Sequence, residues 1–206
     1  MRRRAGSEVV VTIRGVAERG TRRFSQAISE GDGISVIVDV RDLDGARSAQ
    51  AQGAEAIVLR APLDGITDAT ELPILWLRDG PPMDAAEAGA DACVVHAGDE
   101  QVIELHSLAL DLGLDCVISV ANEEELEEAL DRVDPEIFLL VAEGENDEWE
   151  HTFDLLSNVP AGKLAIAAPR AVSREQVVEL ERAGVDAVIV AARDVAALVG
   201  DAPPQV

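Results

Sequence analysis

Ten side chains able to do acid–base work or hold an anion recur at one kind of place, at or just past the end of a short apolar run. They are Asp39, Arg41, Arg60, Arg78, Asp79, His96, Ser119, Glu143, Arg170 and Arg193. Asp39, His96 and Glu143 are the candidate catalytic groups, since a positioned carboxylate or imidazole can take or give a proton in a reacting complex. Arg41, Arg60, Arg78, Arg170 and Arg193 offer planar guanidinium forks that grip carboxylate or phosphate through two parallel hydrogen bonds, and Ser119 adds a hydroxyl to this ligand-binding set. Nine arginines lie beyond residue 23, and five of the nine occupy these positions, so the clustering is a feature of the pattern. Two readings stand side by side. The arginines bind an external anion, or they pair with Asp39, Asp42, Asp79 and Glu143 as a closed salt-bridge plug, because enclosed charges need partners. His96 likewise reads as an acid–base group or as a satisfied strand-end histidine, whereas His106 and His151 read as helix-surface residues. Lys163 begins an apolar run instead of ending one, so no lysine stands ready for Schiff-base or general-acid work. No His, Cys, Asp and Glu grouping has metal-ligand spacing, and no metal or cofactor is expected.

The elements that position these groups announce themselves by repetition. Ala88-Gly-Ala-Asp-Ala-Cys-Val-Val-His96 is echoed by Gln52-Gly-Ala-Glu-Ala-Ile-Val-Leu-Arg60, by Ala183-Gly-Val-Asp-Ala-Val-Ile-Val190 and, more loosely, by Leu112-Gly-Leu-Asp-Cys-Val-Ile-Ser119. Each copy reads as a helix end, a glycine in the left-handed C-cap, an acid that turns the chain, and a strand buried on both faces. Helix, glycine and buried strand in steady alternation predict an α/β fold, a single (βα)8 barrel with short loops. Strands are expected over 34–40, 56–60, 73–77, 92–96, 115–120, 137–142, 163–168 and 187–190. Helices are expected over 21–28, 44–52, from 83, over 99–112, from 123 behind an Asn122 cap, up to about Asn158, from 174 behind a Ser173–Gln176 capping box, and briefly after Arg193. Pro62, Asp64, Gly65 and Asp68 leave only a stunted helix between the second and third strands. In such barrels the strand ends that carry the ten groups form one face, the face on which chemistry is done.

The expected organisation is an arm and helix over 1–30, the barrel over 31–200 and a tail over 201–206, with a short strand at Val9–Ile13 inside the arm. Forty acids against seventeen bases set a net charge of −23, and sixteen of the bases are arginine. Residues 1–23 hold seven Arg and two Glu, a local +5, so the rest of the chain carries about −28. The arm is expected to lie on its own acidic barrel or to meet a partner. Phosphate backbones would be repelled by the body, so no nucleic acid is expected as partner. No run approaches a membrane span, and Met1-Arg-Arg-Arg4 lacks the apolar segment of a signal peptide; no membrane association and a cytoplasmic location are expected. Cys93 and Cys116 fall within strands and read as buried, inert thiols. The acidic coat with one lysine suits a highly saline cytoplasm, and a GC-rich genome would also trade Lys for Arg.

From Phe24 onward, about four-fifths of the chain, the sequence resembles the indole-3-glycerol phosphate synthase family of (βα)8 enzymes. The likeness rests on Phe24-x-x-Ala-Ile28, Gly33-Ile-Ser-Val-Ile-Val-Asp-Val-Arg41, Leu72-Pro-Ile-Leu75, Ala88-Gly-Ala-Asp-Ala92 and Leu112-Gly-Leu-Asp115. It is strongest in Asn122-Glu-Glu-Glu-Leu-Glu-Glu-Ala-Leu130, Ser173-Arg-Glu-Gln-Val177 and Ala183-Gly-Val-Asp-Ala-Val-Ile-Val190. The resemblance implies the barrel fold and a phosphorylated ligand, yet the functional positions it implies are filled otherwise. The first strand ends Asp39-Val40-Arg41 where the family has Glu-Val-Lys, and the loop that follows there is missing. The lysine after the third strand falls on Leu77, or on Arg78 if the alignment slips by one residue, the fifth-strand glutamate on Ser119, and the sixth-strand Asn and Arg near Val141 and Glu143. The seventh-strand Glu-Ser-Gly becomes Ala168-Pro169-Arg170, and the phosphate-binding glycine of the eighth strand becomes Ala191.

Three functions are therefore expected to compete. The first is a silent or repurposed synthase-like barrel that binds an anionic, phosphorylated small molecule. The second is an active lyase or isomerase of sugar phosphates using Asp39, His96 or Glu143. The third is a structural or interaction protein whose arginines are all paired internally. The charge pattern makes its own prediction. Self-repulsion at −23 is relieved when the Debye length shrinks to about 3 Å near 1 M salt, so the melting temperature should rise steeply between about 0.1 M and about 2 M KCl. Equal melting at both salt levels would exclude a fold that depends on salt.

Overall fold

A computed structural model describes residues 23–30, 33–141, 148–169 and 173–191. The repeat behaves as its residues dictate: Gly89 and Gly184 leave their helices at φ 74° and 97°, a left-handed turn that a side chain would strain, and an apolar strand follows each. The elements run α1 (Phe24–Ser29), β1 (Ser35–Asp39), α2 (Leu43–Ala51), β2 (Ala56–Leu59), α3 (Ile66–Ala69), β3 (Ile74–Trp76), α4 (Pro82–Glu87) and β4 (Ala92–His96). They continue with α5 (Val102–Asp111), β5 (Asp115–Val120), α6 (Glu123–Arg132), β6 (Ile137–Leu140), α7 (Glu148–Asn158), β7 (Leu164–Ala167), α8 (Arg174–Ala183) and β8 (Ala187–Ala191). The strands pair in parallel, each with its sequence neighbours, and β8 closes on β1. This is a (βα)8 barrel.

β4 and β5 have the expected limits; the other strands differ by one or two residues at their ends, where the ladder hydrogen bonds stop. Asn122 caps α6 by accepting from the Glu125 amide, and Ser173 and Gln176 form the expected capping box on α8. The helix expected from 99 starts at Val102, because 99–101 form a turn in which the Val102 amide reaches the Asp99 carbonyl. The Val9–Ile13 strand, the helix after Arg193 and the 201–206 tail lie outside the described residues, as does the arm before Arg23.

The registers determine which side chains meet. Stepping level from Ile37 across each strand pair, through positions 56, 73, 90, 113, 133, 160 and 181, returns to β1 at 29, eight residues from the start. With eight strands this shear lifts the level position by one residue per strand, so inward side chains of alternate strands stand at equal height. Three closed layers of four follow: Ala56, Ala92, Ile137 and Ala187; then Ile37, Leu75, Val117 and Ile166; then Val58, Val94, Leu139 and Ile189. These twelve side chains, with Phe24 and Ile28, form one buried cluster inside the barrel. Their alternates on each strand, among them Val36, Val38, Ile57, Trp76 and Ile118, belong to a second cluster between sheet and helices. Cys93 and Cys116 are paired in register and face that outer layer; they are free thiols sharing a hydrogen bond. That shared contact and burial push the Cys116 thiol up, which keeps it protonated and unreactive.

Three of the four bottom-layer residues are alanine, and the room they leave is taken by α1. Phe24 and Ile28 are buried there, and the Ser35 hydroxyl donates to the Ile28 carbonyl to hold the helix in place. The acid of each repeat does more than turn the chain. Glu55 accepts the Val36 amide, Asp91 the Ile74 amide and Asp186 the Ala165 amide, each at 2.7–2.9 Å and each from the preceding neighbour strand. Asp115 instead accepts the Ser25 amide at the start of α1. These carboxylates satisfy amides at the lower edge that the parallel ladder leaves without a carbonyl.

Two measurements test this lower face. Phe24→Ala should cost about 3–5 kcal/mol in urea unfolding, because the alanines around it cannot collapse into the void. Burial raises the Asp186 carboxyl above its ordinary value, opposed by its hydrogen bonds from the amides of Ala165 and Asp186. The native state then holds its proton longer than the unfolded chain, so this group's contribution falls as pH rises through the carboxylate range. Asp186→Asn keeps an acceptor for Ala165 and removes the buried charge. Its melting temperature relative to wild type should therefore climb from about pH 3.5 to about pH 7, and a constant difference would refute the assignment.

Candidate functional site

Two further rings of inward positions stand above the apolar layers, at the C-terminal ends of the strands. By the same register the lower ring is Asp39, Leu77, Ser119 and Ala168, and the rim is Arg60, His96, Val141 and Ala191. Polar residues fall on β1, β2, β4 and β5; small or apolar ones take the ends of β3, β6, β7 and β8. The strand ends are therefore polar along one arc and carry small or apolar side chains along the other.

Both polar pairs join a lower-ring residue to a rim residue on the neighbouring strand: Ser119 and His96 are register partners, whereas Arg60 stands two residues past Val58, the register partner of Asp39. Arg60 Nε donates to Asp39 Oδ2 at 2.7 Å across β2 and β1. With the arginine 57% exposed, this ion pair contributes no more than about 0.2–1 kcal/mol. The Ser119 hydroxyl lies 2.6 Å from His96 Nδ1 across β5 and β4, and His96 Nε2 lies 2.7 Å from Asp79 Oδ1. Asp79 reaches this position from the loop after β3, where Gly80 has φ 145°, outside the range of ordinary side chains, and Pro82 starts α4. Ser119 is buried at 3% exposure, while His96 and Asp79 are open to solvent.

Of the salt-bridge plug that stood as the alternative reading, one pair forms among the described residues. Asp39 takes Arg60, but Asp79 takes His96 in place of an arginine, and Asp42 turns away to cap α2 by accepting the Gly45 amide at 2.7 Å. The open helix end next to Asp42 supplies donors closer than any guanidinium. Arg41 and Arg78 are exposed and form no ion pair with a described residue. Glu143, Arg170 and Arg193 lie outside the described residues. Two other histidines differ from expectation. His151 is half-buried with Nε2 2.6 Å from the Ala121 carbonyl, and half-buried His106 has its pKa lowered by desolvation. Lys163 sits at the opposite face, on Asp134. A hollow of about 260 Å³ also opens on that lower face near Arg23, His106 and Glu136. Among the described residues no three His, Cys, Asp or Glu side chains are grouped to hold a metal.

The sequence placed His96 and Ser119 at neighbouring strand ends, but nothing in it joined them to Asp79. That link depends on the course of the Asp79-Gly-Pro-Pro loop.

Comparison with known proteins now bears on this mouth. An indole-3-glycerol phosphate synthase of Variovorax paradoxus is 30% identical over 182 residues, covering 81% of this chain and 64% of that protein. A second, from Salinibacter ruber, is 31% identical over 119 residues, covering 52% of this chain and 42% of that protein. The chain is a divergent relative of the indole-3-glycerol phosphate synthases. It spans less than two thirds of the length of either one, and no family model matches it. Solved barrels superpose well. N-acetylmannosamine-6-phosphate 2-epimerase from Clostridium perfringens gives a TM-score of 0.69 at 14% identity, over 86% of this chain and 93% of that one. Phosphoribosyl anthranilate isomerase from Thermus thermophilus gives 0.62 at 18%, over 80% and 96%. The tryptophan synthase α-subunit from Pyrococcus furiosus gives 0.61 at 17%, over 79% and 88%. At such identities these likenesses describe the fold alone. Within the synthase likeness, the positions implied for lysine and glutamate are the lower-ring residues Leu77 and Ser119.

Proposed function

We propose that this synthase-like barrel has left indole-glycerol phosphate synthesis and binds an anionic, phosphorylated small molecule at its C-terminal mouth. The observation that carries the reading is a pair of arginines: Arg41 and Arg78 stand exposed with no carboxylate partner among the described residues, in a protein with forty acids. Guanidinium groups left open at one end of a strongly acidic body are arranged for an anion that arrives from outside. Arg41, Arg193 and Arg170 follow three consecutive strands around the barrel, β1, β8 and β7. The inward positions at the ends of β7 and β8 are the small residues Ala168 and Ala191. Pro169 lacks an amide donor and Ala191 replaces a glycine, so in this reading side chains take over the phosphate contacts that loop amides commonly make. Arg60 and Arg78 stand on the other arc.

Loss of ring closure follows from chemistry. Leu77 cannot protonate a leaving group and Ser119 is no substitute for a carboxylate, and removing one general acid or base typically costs about 10²–10⁴-fold. The purified protein should form no indole-glycerol phosphate from the synthase substrate; an ordinary turnover would sink the reading. Calorimetric titration with inorganic phosphate and with ribulose 5-phosphate should show binding that weakens as salt rises. Arg41→Ala and Arg170→Ala should each lower that affinity about tenfold, and unchanged affinity in both would make these arginines surface charges.

A further inference from the structure

We propose that Ser119, His96 and Asp79 act as nucleophile, base and orienting acid, and that the mouth hydrolyses small carboxylic esters. The hydrogen-bond chain itself sets the direction of proton transfer. An ionised Asp79 can only accept, so in the neutral imidazole Nε2 carries the hydrogen and Nδ1 is left with its lone pair. The Ser119 hydroxyl at 2.6 Å is then the donor to Nδ1, which is the relation a serine nucleophile needs to its base. The carboxylate at 2.7 Å from Nε2 holds the ring in that tautomer and stabilises the imidazolium that forms.

The setting of Ser119 suits the chemistry. Its ring is completed by Leu77, Asp39 and Ala168, one step above the packed apolar layers of the barrel. His96 is on the rim, open to the water that a second step requires. Ser119 is buried, and Ala168 of its own ring carries only a methyl group, so the substrate class that fits is an ester of a short carboxylic acid.

The steps balance. Ser119 Oγ attacks the ester carbonyl carbon, and its proton passes to His96 Nδ1. The carbonyl oxygen takes up the electron pair and returns it as the carbon–oxygen bond to the alcohol breaks. The departing alcohol takes the proton from Nδ1, leaving an acyl group on Ser119. Water then attacks that carbonyl while Nδ1 accepts its proton. The carboxylic acid leaves and Ser119 recovers its hydrogen.

A fluorophosphonate probe and p-nitrophenyl acetate test this in the full chain. The probe should add once per molecule, and peptide mapping of the wild-type adduct should locate it on Ser119. The acetate should give a burst of nitrophenol equal to the protein present, followed by slower turnover. His96→Gln should slow labelling about 10²-fold or more, and Asp79→Asn about tenfold, with the melting temperature retained to show that each variant is folded. No adduct, an adduct on another residue, or an unchanged rate in either variant overturns the proposal. The phosphate titration reads Arg41 and Arg170, so ester chemistry and anion binding succeed or fail separately.

Discussion

A closed sheet of eight strands with a shear of eight admits only one arrangement of its interior. Each strand sends every second side chain inward, and odd and even strands deliver theirs to alternating heights. The twelve lumen residues fill three such layers without a polar atom among their side chains. The candidate site begins where that packing stops. One step above Val58, Val94, Leu139 and Ile189, the same alternation brings Asp39 and Ser119 inward, and one step further Arg60 and His96. Each polar pair joins a lower-ring residue to a rim residue on the neighbouring strand, directly in register for Ser119 and His96 and two residues offset for Asp39 and Arg60.

The two ends of the barrel divide the labour. Below, carboxylates are spent on structure: Glu55, Asp91 and Asp186 accept amides from neighbouring strands, and Asp115 anchors α1. Alanines at 56, 92 and 187 leave the volume that Phe24 and Ile28 occupy, so the helix closes the lumen where the sheet cannot. Above, small residues at 168 and 191 have no such plug among the described residues. At the lower end, small side chains at inward positions thus yield a packed floor.

Charge is distributed in keeping with that division. The acids that have positional duties are hydrogen-bonded to the backbone, while the many on helix surfaces, such as Glu123, Glu124, Glu127 and Glu128 of α6, face solvent. Against this background a few cationic groups at the mouth act with little competition from neighbours of their own sign. Arg60 is partly neutralised by Asp39; Arg41 and Arg78 keep their charge unpaired among the described residues. A mouth in which one carboxylate meets an arginine and another meets a histidine has different chemistry from a sealed salt-bridge lid.

The barrel itself was legible in the sequence, because its causes are local. A glycine able to take a left-handed turn, an acid, and an unbroken apolar run mark each strand entrance, and their recurrence at 53, 89, 113 and 184 sets the βα rhythm. Helix caps at Asn122 and Ser173 were equally plain, since a cap is made by residues three apart. The positions of Asp39, Arg60, His96 and Ser119 at strand ends could be counted off as well. Their partners could not. Whether Asp42 meets an arginine or a helix end, and whether Asp79 meets an arginine or His96, turns on loops whose course is decided by what they pack against. The acid of the repeat shows the same limit: the sequence places it at a turn, but only the closed sheet brings the neighbouring strand's free amide within 2.7–2.9 Å. Strand periodicity is a property of the chain, whereas a contact between residues 17 or 23 positions apart exists only once shear and closure bring their strands side by side.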